Sequence, residues 1–217
     1  MPTVAIIGAS RGIGLGFVEA YAADGWTVHA TTRNPASPGK LGKLDGAITL
    51  HGLDVANGRH IAALAAALEE TALDVLVHNA GVYGDGMSRE QVMAINAEAP
   101  IALVEALLPA VERGAQKKIA ILTSQMGARN GGSTPTSVYG ASKAALNDNF
   151  REHEPAWRKR GAVSVVFHPG WVKTDMGGSG ASVPVADSVA GMRRVIAGLT
   201  PADSGKFLTW QGKEHPW

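Results

Sequence analysis

With 217 residues, 45% of them hydrophobic and only 18% charged, the chain is long enough to bury a full core and too apolar to be disordered, so one enzyme-sized domain spanning 1–217 is expected. A net charge of +1 with scattered Lys and Arg excludes the basic field of a nucleic-acid or anionic-lipid binder. The absence of cysteine excludes disulfides and thiolate zinc sites and fits a reducing compartment.

The opening "MPTVAIIGAS" has no basic leader and reaches glycine after a strand-length apolar run, and no apolar stretch approaches bilayer length, so a cytoplasmic protein is expected. In chain order, "TVAII", "WTVHATT", "AITLHGLDV", "LDVLVHNAG", "KIAILTS", "AVSVVFHPG" and "KFLTW" read as strands, most of them closed by Gly, Asp, Asn or Ser. Between them, Phe17, Val18 and Tyr21, then Ile61, Leu64 and Leu68, then Ile101, Val104 and Leu108 recur at helical spacing. Strand and helix alternate, which predicts right-handed crossovers and a doubly wound, Rossmann-type α/β fold: a parallel sheet of about seven strands covered on both faces. Ligands of such sheets bind beyond the carboxyl ends of the strands, where the glycines and polar residues cluster. Residues 176–188, "MGGSGASVPVADS", read as a mobile loop and a candidate lid.

The stretch "GASRGIG", residues 8–14, falls where the first strand should become a helix. Glycines there let backbone approach a ligand, and the helix start offers unpaired amides to a pyrophosphate, although glycine turns without a ligand are also common. In "YGASK", Tyr139 and Lys143 are four positions apart on an apparently helical run, so they share a face about 6 Å apart. A free phenol with a pKa of about 10 is scarcely ionised at neutral pH. Positive charge from Lys143 and an oxidised nicotinamide would lower that pKa and let Tyr139 exchange a proton with a substrate oxygen.

These motifs, together with "LDV" at 53–55, "HNAG" at 78–81, Asn96, "TS" at 123–124 and "HPGWVKTDMGG" from 168, resemble the short-chain dehydrogenase/reductase family over essentially the whole chain. The similarity is greatest to its compact C-factor-like and sniffer-like carbonyl reductases. The resemblance implies that Tyr139 is the proton donor in carbonyl reduction, Lys143 its modulator and a ribose ligand, Ser124 a hydrogen-bond partner of the substrate oxygen, and Asn96 the fourth catalytic residue. Three departures stand out: His78 replaces the usual Asn before Asn79, Ala99 replaces a usual glycine after Asn96, and Ser124 and Tyr139 are fifteen positions apart, two more than the commoner spacing. The intervening 125–138 stretch is expected to absorb the two residues as loop.

The second strand ends in Thr32 and Arg33 with no carboxylate to repel a 2′-phosphate. Arg33 and Arg11 are therefore expected to surround that phosphate, so that NADPH is preferred over NADH. The resemblance agrees, since a basic residue before the second motif glycine marks NADP preference in the family. The expected cofactor contacts are Gly8, Ser10, Arg11, Gly12, Ile13, Gly14, Arg33, Asp54, Val55, Asn79, Ala80, Gly81, Tyr139, Lys143, Pro169, Gly170, Val172 and Thr174. Asp54 reads equally as a turn residue or an adenine ligand.

No HExxH or comparable spacing occurs, "REHEP" at 151–155 reads as a charged helix face, and no catalytic metal is expected. The expected reaction is NADP(H)-dependent reduction of a small or apolar aldehyde or ketone, with Gln125, Met126, Trp171 and the 176–188 loop as pocket wall. An NADP-binding signalling protein of C-factor type with little turnover stays open, since fold does not dictate function. A sugar-nucleotide epimerase fits less well, because those relatives carry a larger C-terminal substrate domain. A homodimer through the helices at 90–112 and 140–158 and a monomer with a solvated "RKR" at 158–160 both stay open.

Overall fold

The computed structural model describes residues 1–129 and 137–217. Seven parallel strands form one sheet: β1 (Thr3–Ile7), β2 (Thr27–Thr32), β3 (Ile48–Gly52), β4 (Val75–His78), β5 (Lys118–Leu122), β6 (Val163–His168) and β7 (Phe207–Thr209), in the order β3-β2-β1-β4-β5-β6-β7. The helices are α1 (Gly12–Ala23), α2 (Gly58–Ala67), α3 (Arg89–Met93), α4 (Ala99–Arg113), α5 (Val138–Lys159) and α6 (Val185–Gly198), with a π-helical turn, Ala94–Glu98, joining α3 to α4. All seven expected strands form, and the fold is the doubly wound α/β class.

Alternation along each strand divides the core in two. Ala5 and Ile7 of β1 join Leu76, Leu103, Leu107, Ile121 and Phe150 on one face, whereas Val4 and Ile6 join Phe17, Val18, Val77 and Phe167 on the other. Each such fully buried side chain contributes on the order of 2 kcal/mol. Cover on both faces is incomplete at one edge, however: β3 lacks a second neighbour and leaves Thr49 and Gly52 exposed.

Two other expectations need correction. The run Arg89–Arg113 forms 25 residues of helix, long and apolar enough by composition to cross a membrane, contrary to the expectation that no apolar stretch approaches bilayer length. More than half of its most apolar window is buried in the protein, with Leu103, Val104, Leu107, Leu108 and Val111 packed against the sheet. The 176–188 segment is not loop throughout, because Val185 starts α6. Its remainder is tied down as well: Val183 N–H donates to Trp171 O (2.9 Å), Lys173 N–H to Val183 O (2.8 Å), and Trp171 Nε1–H to Gly177 O (2.8 Å).

Helix α5 is anchored near its far end. Glu154, expected on a charged surface face, is 2% exposed. It accepts from Ser204 Oγ (2.6 Å) in the turn before β7 and from Arg158 Nε (2.9 Å) one helical turn on. Strand order reverses between β1 and β4, so the crevice above those carboxyl ends is where a ligand site should open.

Candidate active site

A cavity of about 790 Å³ opens at that switch point, within the size range of cofactor and substrate pockets. Its floor is the β1–α1 turn. Gly8 has φ +83°, and a Cβ there would lie 2.8 Å from Ala80 backbone, so the turn and the end of β4 close on one another only because Gly8 has no side chain. Asn79 Nδ2 donates to Gly8 O (2.7 Å) and Gly8 N–H donates to Thr31 Oγ1 (2.9 Å), which pins the turn from two neighbouring strands.

Helix α1 then starts at Gly12 with no side-chain cap and no acid in its first turn. By contrast, Asn57, Ser88 and Ser137 cap α2, α3 and α5. The first amides of α1 are therefore left for a ligand carrying negative charge.

Fifteen of the expected residues line the cavity: Gly8, Ser10, Arg11, Gly12, Ile13, Arg33, Asp54, Val55, Asn79, Ala80, Gly81, Tyr139, Lys143, Pro169 and Thr174. Gly14, Asn96, Ser124, Gly170 and Val172 do not reach its wall. Gly14 is packed against Gly8 O and Asn79, Val172 is buried and bridges to Val183, and Gly170 packs against Trp210. Asp54 Oδ1 accepts from Ala56 N–H (3.0 Å), so it is a turn residue that also faces the cavity.

Arg11 and Arg33 both line the cavity, but Arg11 donates to Asp175 Oδ2 at 3.1 Å, an ion pair open to solvent. Lys40 is a further cation lining the cavity that the sequence did not single out. It sits in the loop between β2 and β3, where the sequence gives no periodic signal to place it.

Lys143 is buried, and its Nζ donates to Leu122 O (3.0 Å) while lying 5.9 Å from the Tyr139 ring centroid. Burial pulls the ammonium down to about 8. The Tyr139 phenol, expected to be lowered by Lys143 together with an oxidised nicotinamide, is raised by the protein's own groups: burial is the main cause, the Ser124 hydroxyl beside it pulls the other way, and Tyr83 adds to the rise. At neutral pH Tyr139 therefore holds its proton while Lys143 is charged.

Ser124 caps the turn Gln125–Gly127, accepting from Met126 N–H (3.1 Å). One of its two lone pairs is engaged, and its own proton remains to donate. Asn96 sits in the π-helical turn, a distortion that often marks functional positions. It is fully buried, exchanges hydrogen bonds with both backbone groups of Val82 (2.9 and 2.8 Å), and donates to Ser142 Oγ (3.0 Å). A Cβ on Gly81 would come within 3.2 Å of Asn96 Oδ1 and 3.5 Å of Lys143 Nζ, so Gly81 keeps the space between these two groups open. The residues 130–136, within the expected loop between Ser124 and Tyr139, lie outside the described residues.

The bond that Asn would make at position 78 is lost rather than replaced. His78 is 1% exposed, and both of its ring nitrogens lack a partner among the described residues. Burial first, and the Lys143 ammonium second, hold it down at about 3. Between pH 6.5 and about 3 the unfolded chain binds a proton that the folded chain does not. Stability should therefore fall as pH drops through that window, by up to about 1.4 kcal/mol per unit. His168, held at about 4 mainly by burial, adds in the same direction. His78→Leu should flatten the acid limb of urea midpoint against pH and be no less stable at pH 7.5; limbs that stay parallel down to pH 4 would refute this account.

The chain belongs to the short chain dehydrogenase family: it matches that family, adh_short, over residues 2–182. Among curated proteins it is 43% identical to the C-signal protein of Myxococcus xanthus over 157 residues, which cover 67% of this chain and 93% of that protein. Among solved structures it is similar to the NADPH-bound carbonyl reductase from chicken fatty liver, with 33% identity, a TM-score of 0.90, and coverage of 100% of this chain and 99% of that one. It is also similar to the carbonyl reductase Sniffer of D. melanogaster, with 27% identity, a TM-score of 0.89 and full coverage of both chains.

Proposed function

We propose that the protein is an NADP(H)-dependent carbonyl reductase in which Tyr139 donates the proton to the substrate oxygen. The observation that carries the reading is the pairing of a half-buried phenol with a buried ammonium on one turn of α5, both lining a dinucleotide-sized cavity. NADPH, when bound, supplies the hydride. The chain supplies the rest. The uncapped start of α1 and the glycine turn hold the pyrophosphate, Gly81 and Lys143 border the space for the ribose, and the Ser124 hydroxyl, off the cavity wall but hydrogen-bonded beside the Tyr139 phenol, steadies a substrate oxygen brought to that phenol. Asn96, with Gly81 leaving room beside it, continues the polar path from Lys143.

Arg33, which closes β2 at the cavity, is the cation assigned to a 2′-phosphate, with Lys40 as a further candidate, while Arg11 already pairs with Asp175. A charge-assisted contact contributes about 1.5 to 3 kcal/mol. Arg33→Ala should therefore weaken NADPH binding about ten- to hundredfold and leave NADH binding nearly unchanged. Equal losses for both cofactors, read by nucleotide fluorescence titration, would rule out the phosphate role.

The test of the reaction is NADPH consumption with small aldehydes, diketones and quinones, with Tyr139→Phe as paired control. Turnover that vanishes in the variant supports the reductase. Tight NADPH binding with no turnover on any substrate would favour the cofactor-binding signalling role suggested by the similarity to C-signal.

A further inference from the structure

Exposure of large apolar side chains is not scattered over this protein. Of the six such residues among those described, Met1 is the chain start, and the other five, Tyr83, Met126, Val138, Trp171 and Met176, are each within a few residues of a site residue: Gly81, Ser124, Tyr139, Gly170 and Thr174. Tyr83 is distinguished from the rest by what it touches. Its ring stacks on that of Tyr139, with centroids 5.0 Å apart and planes 26° apart, while it remains 47% exposed. One part of the ring covers the phenol and another faces out.

The position is held from both sides. Asn96 clamps the N–H and C=O of Val82 immediately before it. Immediately after it, Gly84 turns the chain with φ +104°, where a Cβ would lie 2.7 Å from Val92. A large side chain fixed on the phenol donor, half-covered and half-open, has no need to be aromatic for packing alone. Tyr83 is not among the residues that line the cavity, and its uncovered part lies beside the phenol to which a reacting carbonyl must come.

We propose that Tyr83 determines specificity, serving as an aromatic shelf that selects carbonyls bearing a planar conjugated group over saturated ones of the same size; this rests on the reductase reading above. Ring stacking adds about 0.5 to 1.5 kcal/mol beyond area burial. The preference it creates is therefore about three- to tenfold and lies mainly in KM.

Benzaldehyde and cyclohexanecarbaldehyde form the test pair, because they share a ring of six carbons and differ in planarity. The kcat/KM ratio should favour benzaldehyde in the wild type and in Tyr83→Phe and fall to near one in Tyr83→Leu, with the change in KM. An unchanged ratio in Tyr83→Leu overturns the proposal, as does an equal fall in kcat for both aldehydes, which would make Tyr83 a mere support for Tyr139. Binding of the unreactive benzamide against cyclohexanecarboxamide, measured by ligand NMR with NADP present, gives a second readout. Selective binding lost only in Tyr83→Leu supports the shelf even where no aldehyde is turned over, and that combination would count against the reductase reading instead. Equal binding of the two amides by the wild type overturns the shelf.

Discussion

Tyr139→Phe is expected to lower kcat by about 10³-fold, within the range that a positioned proton donor contributes, while NADPH affinity changes by less than about threefold. Only the hydroxyl is removed. The ring that stacks on Tyr83 and lies near the Lys143 ammonium stays in place, so the cavity wall and α5 are unaltered. Because burial raises the phenol, Tyr139 is protonated throughout the neutral range. The alkaline limb of wild-type kcat/KM should follow Lys143, whose charge is lost above about 8. Retention of more than a tenth of wild-type kcat by the Phe variant, at saturating substrate, would remove Tyr139 from the role of donor.

Gly14→Ala should have the largest effect on the fold. A Cβ at Gly14 would lie 2.0 Å from Gly8 O and 2.6 Å from Asn79 Nδ2. Neither is the free end of a flexible chain: the first is backbone and the second is fixed by its bond to that same carbonyl. The β1–α1 turn must shift, and a clash with core backbone belongs to the small class of substitutions that destabilise by about 4 kcal/mol or more. NADPH binding should be lost with it.

Gly16→Ala is the control one half-turn away. Its Cβ would meet only Val185 Cγ1 at 2.9 Å and Val189 Cγ2 at 3.2 Å, both side-chain ends. The gain in helix propensity of about 1 kcal/mol offsets much of the repacking. Urea midpoints and nucleotide fluorescence should separate the two variants clearly; similar curves would show that the turn relaxes more freely than its contacts imply.

The alternation of apolar runs and helical spacings is enough to find every strand of the sheet, because burial on both faces leaves a strong local record in β1, β4, β5 and β6. It fails where context replaces pattern. The edge strand β3 is half exposed, and the π-helical turn at Asn96 depends on clamping Val82, a contact made across fourteen positions. Glu154 looks like any other carboxylate in a charged helix until Ser204, fifty residues later, is folded against it.

The glycine turn, Tyr139 and Lys143 are legible because chemistry fixes both residue type and spacing within a few positions. Lys40 and Tyr83 are not, because each reaches the site from a connection whose path only the folded chain defines. The shift of Tyr139 is likewise a property of burial, to which Tyr83 adds.

The bond from Ser204 to Glu154 also bears on how the protein is made. As the chain leaves the ribosome, α5, with Tyr139 and Lys143 at its start, emerges well before the turn that carries Ser204. Until then the Glu154 carboxylate keeps Arg158 but lacks the Ser204 hydroxyl, and burying it without that bond costs about 1 to 3 kcal/mol. The helix therefore docks loosely or stays open to chaperones while the β1–α1 turn, already synthesised, waits for its opposite wall. Assembly of the site is therefore expected late in biosynthesis, and a nascent chain stalled before residue 204 is expected to leave α5 less firmly docked.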